Sequence, residues 1–86
     1  MHEVIKILVN VSMVNNDLIF CIYRFLSTSG LKKILFDDDA RKHALFDGIS
    51  MYINVDFGRK VVTIHAKKRF VSPQRLYERI KLLELI

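Results

Sequence analysis

The sequence predicts a small α+β domain. Three observations point there: period-two stretches early and late in the chain, an almost wholly apolar helical run over Asp17–Thr28, and a marked helix start at Ser72-Pro73. Eighty-six residues without a linker, repeat or low-complexity segment make one domain, 1–86.

Val4–Val14 reads as the first strand, with Ile5, Ile7, Val9, Val11 and Met13 alternating with Lys6, Leu8, Asn10 and Ser12. Asn15 or Asn16 then caps a helix whose first turn holds Asp17. That helix is apolar nearly all round, the pattern of one that is sandwiched or shared with a partner. Ser29 and Gly30 end it. Leu31–Phe36 (LKKILF) is too short to fix its period and reads as a short strand or an irregular link. Asp37–Phe46 reads as a short helix. Three aspartates open it, and Arg41, Lys42 and His43 follow in the order a helix dipole favours.

Ile49–Phe57 is the next strand, with Met51, Ile53, Val55 and Phe57 on one side and Tyr52, Asn54 and Asp56 on the other. Gly58 and Arg59 suggest a tight turn into a paired strand, where Val62, Ile64, Ala66 and Phe70 alternate with Thr63, His65, Lys67 and Arg69. Ser72 caps the last helix, Pro73 takes its first position, and Val71 and Leu76 can close a hydrophobic staple. The expected order is β-α-(short element)-α-β-β-α. Its simplest packing is a small antiparallel or mixed sheet of three or four strands with helices on one face. A β-α-β crossover with an added hairpin would resemble an incomplete ferredoxin-like sandwich.

Charge is distributed unevenly along this frame. The net charge is +5, yet residues 1–58 hold six Lys/Arg against seven Asp/Glu. Residues 59–86 hold eight against two, an asymmetry that suits an anionic partner. Lys67, Lys68 and Arg69 run straight into the helix bearing Arg75 and Arg79, whose one-turn spacing places both on one face. These five are the candidate phosphate contacts. Tyr52 and His65, on a sheet face left open by the helices, are candidates for base contact. An RNA or DNA ligand is expected, RNA more than DNA. The competing expectation is a docking module or inhibitor of the phage accessory type, in which the apolar excess around Phe20, Tyr23 and Phe36 marks the interface and the basic patch meets an acidic protein surface. Codon-linked composition agrees with such an origin: Phe, Tyr, Met, Ile, Asn and Lys total 34 residues, and Gly, Ala, Arg and Pro only 13.

Catalytic and metal motifs are absent from the sequence. His2, His43, His65 and Cys21 lack ligand spacing, and Asp37, Asp38 and Asp39 diverge from one another at a helix start. The three glycines build no phosphate loop. The expectation is a non-enzymatic protein without cofactor. Cys21 is expected to be buried and inert, and as a lone cysteine it fits a reducing, cytoplasmic compartment. No apolar run reaches the length of a membrane span. Hydrophobic residues make up 51% of this short chain, more than its core can easily hide, so a homodimer is expected.

Overall fold

Val62 lies between Val9 and Val55, one partner on each neighbouring strand. That row runs through the centre of the sheet and explains its build. The computed structural model describes residues 5–36 and 42–86. Five strands form one antiparallel sheet: β1 (Ile5–Asn10), β2 (Leu31–Phe36), β3 (His43–Gly48), β4 (Met51–Asp56) and β5 (Val61–Ala66), in the spatial order β1-β5-β4-β3-β2. The helices are α1 (Asn16–Thr28) and α2 (Gln74–Lys81). Strands β2 to β5 form a meander, while α1 carries the chain from one edge of the sheet to the other.

Alternation decides which side is buried. Ala44, Phe46, Ile53, Val55, Val62 and Ile64 point to the inner face and are fully buried. They meet Leu18, Ile22 and Leu26 of α1 and Leu76 and Ile80 of α2 in a single core. Burying each of these side chains larger than alanine stabilises the fold by about 1.5–3 kcal/mol before conformational entropy is counted.

These five strands overturn the expected three- or four-stranded sheet. The segment 31–36 is a full strand at the sheet edge, and 43–48 is a strand where the sequence suggests a helix. The order of acids and bases from Asp37 to His43 mimics a helix dipole, but Ala44 and Phe46 alternate with His43, Leu45 and Asp47, and the ladders to β2 and β4 claim this backbone. The aspartates themselves, Asp37 to Asp39, lie outside the described residues. A ferredoxin-like sandwich is excluded as well. Its split β-α-β unit leaves a single strand between the two that the helix joins, whereas α1 here joins β1 and β2 on opposite edges with three strands between them.

Local signals explain the joints. Asn15 caps α1, its side-chain oxygen accepting from Leu18 N at 2.9 Å. Gly30 follows with φ +94°, and the Ile49 side chain lies where a Cβ would stand. Ile49 N donates to Gly30 O at 2.8 Å, so the β3–β4 turn is fastened to the end of α1. The β4–β5 turn is longer than Gly58-Arg59 suggests. It spans Phe57–Lys60, with Lys60 in the left-handed region at φ 57° and Asp56 Oδ1 accepting from Arg59 N at 2.9 Å. That N–H holds the Asp56 carboxyl below the usual range.

Strand β5 ends at Ala66, and Phe70 is 94% exposed rather than part of the strand. The cap position of α2 falls on Pro73 (φ −68°, ψ −13°), whose carbonyl accepts from Tyr77 N at 3.2 Å, and not on the expected Ser72, whose Oγ accepts only a long 3.3 Å bond from Gln74 N. Beyond α2, Leu85 is buried and its carbonyl accepts from Ser12 N at 2.7 Å, which ties the far end of the chain to the segment after β1.

Candidate nucleic-acid interface

Among the described residues, no helix lies on the sheet's outer face. Its side chains form rows across the strands, and one row runs Lys6, His65, Tyr52, Asp47. Tyr52 and His65 are direct neighbours, ring centroids 5.3 Å apart and planes tilted by 60°. Burial, and secondarily the Lys6 ammonium, push the His65 pKa down, so its ring favours the neutral form. In the opposite corner His43 Nδ1 and Asn54 Oδ1 share a 3.2 Å hydrogen bond.

Lys67, two residues past His65, also lies on this side. Its ammonium pairs with Asp47 and donates to Gly48 O at 3.0 Å, so it is engaged within the sheet. This is the one ion pair among the described residues. Lys68 and Arg69 are exposed in the turn that leads to Phe70.

Arg75 and Arg79 lie on the other side of the molecule. Both are exposed on α2, whose buried stripe of Leu76 and Ile80 faces the inner side of the sheet. Arg75 lines a cleft of about 320 Å³ together with Phe25, Ser29, Ile49, Phe70 and Ser72. One turn on, Arg79 is near enough to Cys21 to draw its pKa down, as is Arg24 of α1, although burial outweighs both and pushes the thiol up. Arg75 beside Phe25 and Ser29, and Arg79 beside Cys21, mean that the two helices run antiparallel along their seam. The Arg24 guanidinium sits over the Phe20 ring, 5.7 Å from its centroid.

The structure therefore divides the residues singled out from the sequence. Arg75 and Arg79 stay together and acquire Arg24. Tyr52 and His65 stay together on the opposite face. Lys67 is tied to Asp47, and Lys68 and Arg69 lie between the two groups. Arg24 was not legible as part of a basic group, because its sequence neighbours are apolar and only the packing of α1 against α2 puts Arg79 near Cys21 as well. Cys21 is half-buried rather than enclosed. Among the described residues no three His, Cys, Asp or Glu side chains converge as a metal set would, and no helix is long and apolar enough to cross a membrane. Comparison with protein-family models, curated proteins and solved structures finds no match.

Proposed function

We propose that this protein is a small non-enzymatic binding module that holds RNA or DNA by its phosphates, using the helical layer rather than the open sheet. One observation carries the reading. Arg75 lines the cleft beside α1, Arg24 and Arg79 both lie near Cys21, and among the described residues no carboxylate lies within ion-pair distance of any of the three. Glu78, the acid on α2, accepts instead from Gln74 Nε2 at 3.1 Å. Lys68 and Arg69 extend the same charge toward the start of α2. Guanidinium groups suit phosphate because their donors form a fixed fork. Tyr52 and His65 face away from this seam, so a short strand held by the arginines is gripped without base readout and with little sequence preference. In this reading the protein acts in the cytoplasm as a homodimer.

Salt dependence tests it. Five phosphate contacts predict a slope of log K against log salt of about −4.5 on duplex DNA and about −3.5 on a single strand. Changing Arg75 and Arg79 together to Ala should remove nearly two units of slope, while Lys6→Ala on the far face should leave it unchanged. Absence of binding tighter than about 100 μM at roughly 50 mM salt, for both RNA and DNA, rejects the reading.

Phe70 favours a second reading. A 94% exposed aromatic beside an apolar cleft with Arg75 at its side suits docking on an acidic protein partner, as an inhibitor of the phage accessory type would dock. Such binding would keep much of its affinity at high salt and would be weakened by Phe70→Ala more than by Lys68→Ala.

A further inference from the structure

Three segments frame the cleft that Arg75 lines: the last turn of α1, the turn from β3 to β4, and the connection from β5 into α2. Backbone bonds tie them in place. Ile49 N donates to Gly30 O, Lys67 N donates to Ser50 O at 2.7 Å, and Val71 N donates to Lys68 O at 3.2 Å. Leu26 and Met51 line the cleft from below and belong to the buried core. Ile49 and Phe70 line it from above and are 46% and 94% exposed. The site is thus preformed, with an apolar base and two large apolar side chains at its rim still open to water.

Charge and size select what can fill it. Arg75 is the one charged residue of the lining, and its neighbours there are apolar side chains and serines. Among the described residues no carboxylate lies within ion-pair distance of Arg75. Ser72 Oγ accepts from Gln74 N, which leaves its own O–H to donate. A single guanidinium matches a single negative charge, and its forked donors fit the two oxygens of a carboxylate. A phosphate monoester would bring a second charge into apolar surroundings without a second cation to meet it. A cationic ligand would be repelled. The volume of about 320 Å³ is at the lower end for small-molecule sites. It holds about ten groups the size of a water molecule.

We propose that this cleft binds a small monocarboxylate with an apolar body, about ten non-hydrogen atoms in all, its head on Arg75 and its body against Met51 and Ile49. Phe70, third in the turn from Lys68 to Val71, covers that body. The inference does not rest on the nucleic-acid reading. It departs from the docking reading in giving the cleft a small molecule and not a protein side chain.

The test is an amide NMR titration of the full chain with octanoate, with 1-octanol and octylamine as neutral and cationic probes of the same length. Octanoate should shift the Ile49, Ser50, Val71 and Ser72 amides and saturate, with 1-octanol weaker by roughly tenfold and octylamine weaker still. Arg75→Gln should weaken octanoate by roughly tenfold and leave 1-octanol unchanged. Phe70→Ala, at an exposed position, should weaken both. No saturation at the cleft by about 10 mM octanoate overturns the proposal. So does octylamine binding as tightly as octanoate, a comparison that needs no variant, or octanoate binding that Arg75→Gln leaves intact. Cleft amides that shift when the protein alone is diluted would put the Phe70 of a second copy there. A short acidic peptide that binds the cleft more tightly than octanoate would give it to a protein partner. Either result overturns the small-molecule assignment, and all of them leave the salt slope of nucleic-acid binding to be judged separately.

Discussion

Lys67, just past the end of β5, reaches across β4 to pair with Asp47 on β3, and the same ammonium caps the Gly48 carbonyl. A residue that looks like one more cation in a basic run is therefore a cross-brace. Both partners remain more than a third exposed, so water screens the pair and its contribution is modest. Lys67→Ala should cost up to about 1 kcal/mol in urea denaturation. It should change the salt slope of nucleic-acid binding far less than Arg75→Ala does. A loss of a full unit of slope in Lys67→Ala would show that the brace opens to hold phosphate.

Acid should weaken the fold through His65. Burial and Lys6 disfavour its protonated form in the folded state, so protonation favours the unfolded chain, where the imidazole has its ordinary pKa of about 6.5. The stability this neutral ring contributes is complete above about pH 6.5. It declines as pH falls from there through the lower folded value. An NMR titration should place the His65 midpoint below that of a free histidine, and Lys6→Ala should raise it. A midpoint above 6.5 would contradict the arrangement.

Gly30→Ala should destabilise the protein by about 1–3 kcal/mol, because φ +94° strains any side chain and the added methyl meets Ile49. Pairing it with Ile49→Ala should recover the steric part and leave the backbone part. Denaturation midpoints of the two single variants and the double variant separate these contributions.

Cys21 should react slowly with a thiol reagent at neutral pH. Desolvation pushes its pKa up and outweighs the pull of Arg79 and Arg24. Arg79→Ala removes one of those cations and should slow alkylation further. Faster labelling in that variant would mean that Arg79 acts as a cover over the sulfur and not as a nearby charge.

The sequence was legible where one residue type carried one signal. Asn15 before the apolar run marks the start of α1, and Ser72-Pro73 marks α2 to within a residue. β4 and β5 show clear alternation because both are interior strands with one face on the core. The failures share a cause. His43–Gly48 includes Asp47 and Gly48, poor strand formers, and only two apolar residues mark its inner face. Its ladders to β2 and β4, which local sequence cannot show, decide its conformation. The basic site divides for a related reason. Lys67 and Arg75 are eight positions apart in sequence, but the strand-to-helix connection between them turns from the outer side of the sheet to the inner one.

The pairing of β1 with β5 has a consequence for the time course of folding. Ile5 meets Ala66 and Asn10 meets Val61, so the first strand finds its place only after β5 has been made. The meander from β2 to β5 needs only short loops, whereas seating β1 requires closing the longest one, and such non-local contacts slow folding. On a ribosome, Ile7 and Val9 emerge early and must wait, unpaired, for the strand that will shelter them. Pulse-labelling hydrogen exchange during refolding should find the β3 and β4 amides protected before those of β1.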